Sequence, residues 1–195
     1  MDYFYPVGAT PLDPDEKEGL IPGHLKLQKE LNEWEQQNIL QAKLWLQTKN
    51  LDLNNILVVH FLYKLHKKMF DETWMWAGKF RQTEKNIGVL CHEIPEKLHQ
   101  LIGDVKFWIE NETYPEDEIC VRLHHRLVSI HCFPNGNGRH SRIYSELVLE
   151  ALGQPKFTWG KTDLTSSSEV RQKYIEALKL ADKHEYNKLL EFVRS

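Results

Sequence analysis

Between His131 and Arg142 the chain reads H-C-F-P-N-G-N-G-R-H-S-R, and these twelve residues concentrate a base, an anion cradle and two guanidinium groups. Gly136, Asn137 and Gly138 are residue types whose successive backbone N–H groups can curl around a negatively charged group. An apolar-periodic run, I-Y-S-E-L-V-L-E-A-L, follows at once, so the loop opens a helix whose positive end faces the same anion. Arg139 and Arg142 lie three residues apart and share one face of that helix's first turn. His131 ends the preceding apolar run and can reach back over the loop. The set suits phosphate chemistry. For a G-N-G tripeptide alone a helix-start turn with solvated arginines is the favoured reading; adding His131, Phe133, Asn135, Arg139 and Arg142 at fixed offsets changes the balance.

Helices must position these residues. Leu27, Leu31, Trp34, Ile39, Ala42, Leu44 and Leu46 recur at roughly helical spacing, which predicts a helix from Leu25 to Lys49. Leu57, Phe61, Leu65 and Met69 share a face of a second, Asn54 to Phe70. Pro95 starts a third that runs to Glu110, proline being favoured at a first helical position. Acids at 116–118 open a fourth that ends near Ile130. The helix after the cradle stops at Gly153, and Ser168 to Ala181 with Glu185 to Val193 close the chain. Residues 84–92, E-K-N-I-G-V-L-C-H, have no helical period; they predict a small β-hairpin or extended flap around Gly88. Residues 1–23 carry four prolines and read as an irregular arm packed down by Tyr3, Phe4 and Tyr5. The fold class is all-α with one small β element.

Composition narrows the function. At 195 residues, with 41% hydrophobic residues, the chain is one domain, or one domain with a short accessory segment, and has a real core. A net charge of −3 and the absence of a basic stripe argue against a nucleic-acid surface or a membrane-surface protein. No apolar run of membrane-spanning length and no signal-peptide pattern occur, so a cytoplasmic location is expected. Cys91, Cys120 and Cys132 are odd in number and lack metal-ligand spacing. His124, His125, His131 and His140 are dense but follow no zinc pattern; His125 reads as structural. P-x-x-x-x-G-K-T at 155–162 lacks the first glycine and the preceding strand of a phosphate-binding P-loop.

Taken whole, the 131–142 segment strongly resembles the signature of Fic-domain proteins, H-P-F-x-[D/E/N]-G-N-G-R-x-x-R, with Cys132 in place of the usual proline. W-A-G-K-F-R with its short N-I-G flap, I-P-x-x-L at Ile94 to Leu98, and Y-x-x-A-L-x-x-A-D-x-x-x-Y near the C-terminus resemble further landmarks, so the likeness covers roughly residues 50–192. The opening L-D-P-D-E-K-E-G-L-I-P and E-L-N-E-W-E-Q-x-N-I-L resemble the bacterial Fic subgroup labelled mobile mystery protein B. The resemblance implies a Fic-type helical bundle over 50–195, preceded by an arm and first helix, 1–49, with a regulatory part. It implies a nucleotidyltransferase of the protein-AMPylation type: AMP passes from ATP to a Ser, Thr or Tyr hydroxyl of a target protein.

In that scheme His131 is the base, the backbone of Gly136, Asn137 and Gly138 holds the α- and β-phosphates, Arg139 steadies the β-phosphate and Arg142 reaches the γ-phosphate. Asn135 stands where many relatives place a Mg²⁺-binding acid; it keeps an oxygen but loses the charge that a hard cation prefers. Gly138, where phosphorylating relatives carry Lys, favours AMP transfer, while UMP or GMP transfer stays open. Ile87, Gly88 and Val89 are the flap contacts for a target segment added as an extra strand. Many relatives carry an inhibitory [S/T]-x-x-x-E-[G/N] helix; Glu18-Gly19 matches its end, with Pro14 in the hydroxyl position, and Thr165 to Glu169 matches its start. The competing reading is a weak or inhibited Fic protein acting as a toxin–antitoxin or regulatory binding module, with a separate antitoxin partner.

Overall fold

The computed structural model describes residues 10–161 and 169–195. Nine α-helices are present among the described residues: α1 Pro14–Glu18, α2 Gln28–Gln47, α3 Leu53–Ile56, α4 Val59–Phe70, α5 Ile94–Glu110, α6 Glu116–Ile130, α7 Asn137–Ala151, α8 Glu169–Ala181 and α9 Asn187–Val193. No strand forms among these residues; a single antiparallel bridge joins Leu20 to Trp74. No helix among the described residues is long and apolar enough to cross a membrane. Tyr3, Phe4 and Tyr5, expected to pin the arm, lie outside the described residues, as does Thr165.

α6 and α7 form the central antiparallel pair, and the turn between them is the 131–136 loop. α7 buries Ser141 and Ser145 one turn apart, small residues that let α6 approach closely. α3 and α4 pack on α7, α5 packs on α6, α2 lies outside α4, and the α8–α9 pair closes against α6 through α9. In α4 the spacing of Phe61, Leu62, Leu65, Met69 and Phe70 places all five in the core. Each such side chain contributes roughly 1.5–3 kcal/mol by leaving water.

Two expectations change. The run from Asn54 to Phe70 breaks into α3 and α4, with Leu57 and Val58 outside helical geometry. The Tyr144 hydroxyl on α7 donates to the Ile56 carbonyl at 2.8 Å, beside the Val58 N–H at the same distance, and so ties the break to α7. Along α2 the buried stripe is Leu31, Glu35, Asn38, Ala42 and Leu46, whereas Leu27 and Leu44 are 61% and 47% exposed. The apolar residues alone give the wrong phase because two buried positions are polar. Asn38 earns its place by capping the turn after α4: its Oδ1 accepts from the Glu72 N–H at 3.0 Å and the Thr73 hydroxyl at 3.2 Å.

Candidate active site

His131 terminates α6 in the left-handed backbone region, φ 52° and ψ 58°, while its N–H still bonds to the Leu127 carbonyl at 3.2 Å. The turn swings the imidazole off the α6 axis. It is 6% exposed, and both ring nitrogens are buried without a hydrogen-bond partner. Burial, then the positive charges of Arg81 and Lys85, push its pKa down to about 4. The ring is therefore neutral near pH 7, with a lone pair free to accept a proton.

The loop that follows is clamped by its own side chains. Asn137 accepts from the Phe133 N–H at 2.9 Å and donates back to the Phe133 carbonyl at 2.8 Å. Gly136 adopts φ 78°, and a Cβ there would come within 2.6 Å of Phe70, so this turn needs glycine. Cys132, at the position of the family's proline, is buried, and burial raises its thiol pKa to about 12; it packs rather than reacts. Phe133 stacks on His66 with ring centroids 3.7 Å apart. His66 accepts from the Gly78 N–H at 3.0 Å, so its other nitrogen carries the proton donated to the Asn135 carbonyl at 3.0 Å. Burial keeps this histidine neutral, in the one tautomer that serves both bonds.

α7 opens at Asn137, and its first turn bond runs from the His140 N–H to the Gly136 carbonyl at 2.9 Å. The N–H groups of Asn137, Gly138 and Arg139 precede that bond and lie at the positive end of a 15-residue helix. Gly138 has room beside it: a Cβ would meet only Arg142 Nη1, at 3.9 Å. Arg142 is half-buried against α8, where the Tyr174 hydroxyl bonds to it, and Tyr174 in turn lies 2.8 Å from His124 Nε2. Burial and then Arg142 push His124 down to about 3, so it too is neutral. Two guanidinium groups thus flank one helix start, a standing demand for an anion.

Arg139 already has a carboxylate. Glu35 of α2 accepts from its Nη1 at 2.6 Å and, through the other oxygen, from the Trp74 indole at 2.7 Å. The Arg139 guanidinium lies over the Phe70 ring, 4.9 Å from its centroid. Glu18, by contrast, is exposed at the end of α1 and makes no ion pair among the described residues. Glu35 was missed because α2 was phased on its apolar residues; the signal was a carboxylate and an amide, 35 and 38, on the face that spaces with Leu31 and Ala42.

Asn135 Oδ1 accepts from the Gly136 N–H at 2.6 Å and lies 3.5 Å from Arg139 Nη2, while its Nδ2 donates to the Thr10 carbonyl at 3.3 Å. Its one oxygen is thus occupied and uncharged. No group of three His, Cys, Asp or Glu residues is placed to hold a metal among the described residues. The protein donors do not fit a hard cation at this point.

The flap lies against His131, though not as a hairpin. Val89 N–H bonds to the Ile130 carbonyl at 3.4 Å, and Arg81 N–H to the Cys132 carbonyl at 3.0 Å. Thr83 O and Val89 O, groups a strand ladder would use, are taken by the Arg81 side chain. Gly88, at φ 115°, faces His131 so closely that a Cβ would come within 2.9 Å of the histidine Cβ. Ile87 is 42% exposed beside it, and Val89 packs on the core. Lys85 is tied to α1 by Asp13 at 2.7 Å and Glu16 at 2.5 Å.

Residues 56–149 match the model of the Fic/DOC family. A protein adenylyltransferase fic-1 of Caenorhabditis briggsae is 33% identical over 82 residues, 40% of this chain and 16% of the relative. A protein adenylyltransferase Fic of Culex quinquefasciatus is 24% identical over 157 residues, 78% of this chain and 30% of the relative. The chain thus spans less than a third of the length of these two curated relatives. Among solved structures, BepC of Bartonella tribocorum with bound AMPPNP superposes with a TM-score of 0.68 at 18% identity, covering 93% of this chain and 98% of that one. Fic-1 of C. elegans gives 0.68 at 21% identity, over 92% and 51%. Residues 56–149 thus form a Fic/DOC-family domain that carries the motif around His131, within an all-α fold shared with the solved Fic structures.

Proposed function

We propose that the chain is a protein adenylyltransferase, moving AMP from ATP to the hydroxyl of a Ser, Thr or Tyr on a target protein. The observation that carries this reading is the imidazole of His131, neutral and with both nitrogens unpartnered, at the turn that opens the α7 anion site. The acceptor oxygen attacks the α-phosphorus and the bond to the β-bridging oxygen breaks. Pyrophosphate leaves, and the hydroxyl proton passes to His131. A general base of this kind contributes roughly 10²–10⁴-fold. The pKa of about 4 is low for the task; nucleotide phosphates brought beside the ring would raise it toward the working range.

The N–H groups at 137–139 would hold the α- and β-phosphates, with Arg139 on the β- and Arg142 on the γ-phosphate. These groups neutralise charge and fix the line of attack, which is most of what phosphorus chemistry asks of a protein. Mg²⁺ is the expected companion of ATP, and no step here is routed through it. Ile87, Gly88 and Val89 would line up the target segment, and Lys85 links that flap to the 1–49 segment. The cytoplasm suits the three free thiols.

The second reading, a restrained protein whose release depends on a partner, is favoured by one observation: Glu35 sits on Arg139. Incubation with labelled ATP and Mg²⁺ tests both. Label on protein that disappears in His131→Ala, with nucleotide binding retained, supports transfer. No label on itself or on lysate proteins, with Glu35 intact or replaced by Gln, rejects it.

A further inference from the structure

Arg81 is among the most deeply buried charged side chains of the molecule, with its guanidinium fully shielded from solvent, yet its carboxylate partner Glu84 is half exposed and 3.3 Å away. What satisfies the cation is backbone. Its Nε donates to the His131 carbonyl at 2.6 Å, Nη1 to the Thr83 carbonyl at 2.9 Å, and Nη2 to the Val89 carbonyl. One rigid fork therefore grips both the residue that carries the base and the flap that faces it. Glu84 completes the ring, accepting from the Cys91 N–H at 2.9 Å and so joining the two ends of the flap. Gly88 fits between: a Cβ on it would lie 2.6 Å from Arg81 Nη2 and 3.2 Å from the Ile130 carbonyl.

A planar guanidinium holds several carbonyls at fixed relative positions, which a lysine ammonium cannot do. We propose that Arg81 is a positioning residue that sets the distance between His131 and the acceptor hydroxyl delivered along the flap. The proposal rests on the transfer reading above and names what registers its acceptor. Arg81 touches neither nucleotide nor acceptor; it acts through the backbone at positions 89 and 131. A displacement of the order of 1 Å between reacting groups costs about 100-fold in rate.

The charged groups around His131 are Arg81 and Lys85, with Glu84 on the first, and Asp13, which caps α1, and Glu16 within α1 on the second. Two variants separate positioning from general support. In Arg81→Gln, kcat for transfer to protein should fall about 100-fold while KM for ATP stays within about twofold. The NMR titration of His131 should move up from about 4, because a nearby positive charge is gone. In Gly88→Ala the arginine charge stays while the added Cβ, 2.6 Å from Arg81 Nη2 and 2.9 Å from the His131 Cβ, pushes the flap away, so the same kcat loss should appear with KM for ATP again within about twofold.

Wild-type kcat in either variant overturns the proposal. So does a KM for ATP that rises in step with the lost rate, which is the mark of a merely structural role. If Arg81→Gln does not fold, Gly88→Ala decides alone. Wild-type protein that transfers nothing, while the His131 titration still moves in Arg81→Gln, overturns the transfer reading instead and leaves the grip of Arg81 on His131 standing.

Discussion

Asn135 is the residue at which this chain differs most in chemistry from a metal-assisted site. Its oxygen serves the Gly136 N–H at 2.6 Å, and its amide nitrogen holds the Thr10 carbonyl at 3.3 Å. An aspartate would keep the first bond, add a charge for a cation and set a carboxylate oxygen against the Thr10 carbonyl. Asn135→Asp should therefore tighten the apparent magnesium affinity in nucleotide binding by about tenfold, equivalent to roughly 1.4 kcal/mol. The N-terminal segment should loosen at the same time. A magnesium titration of nucleotide binding that gives the same midpoint in both proteins would show that the phosphates and water do all the holding.

At the scale of elements, α6, the cradle and α7 were legible because each announces itself locally: acids at the helix start, two glycines in the turn, arginines after it. The flap's position was legible too, but its form was not, since a buried arginine replaced the strand ladder and nothing at Arg81 marks it as buried. α2 was found and misphased, and with it Glu35. The Glu35–Arg139 pair ties α2 directly to the cradle, so α2 belongs to the site rather than beside it. Removing one partner of a buried pair costs about 3–5 kcal/mol, less here because Arg139 keeps 22% exposure; about 2 kcal/mol is expected for Glu35→Ala. Glu35→Gln keeps an oxygen for Trp74 and removes the charge that competes with phosphate. Its stability loss should be about 1 kcal/mol, and nucleotide affinity should rise about fivefold. Urea unfolding and nucleotide titration read the two effects. Weaker nucleotide binding in Glu35→Gln would mean that the carboxylate orients Arg139 instead of competing for it.

At the scale of the whole molecule, the bundle holds its site with histidines kept neutral inside it. His66, His124, His131 and His140 are all buried. Burial is the first cause of every shift: His131 and His140 fall to about 4, His124 to about 3, and His66 moves well below 6.5. His140 donates to the Leu62 carbonyl at 2.8 Å and so joins α7 to α4, while His66 and His124 hold the loop and the Arg142 partner. Above about pH 6.5 these rings are neutral in both folded and unfolded chains and add no pH dependence. As pH falls below 6.5 the unfolded chain takes up protons that the folded one refuses, so stability drops. Each histidine costs about 1.4 kcal/mol per pH unit until its folded pKa is reached. Glu146, raised by burial, works the other way and offsets part of this loss, whereas Asp13, Glu30 and Glu84 are lowered and act only below the window. Against a typical total of about 5–15 kcal/mol, several such terms matter. The urea midpoint should therefore fall steeply between about pH 6.5 and about pH 4.5, before carboxylates titrate. Replacing His140 by Gln, which can still donate to Leu62, should flatten that slope by one histidine's share. An unchanged midpoint across the window would mean that these rings titrate normally, and that the neutral base inferred at His131 needs another cause.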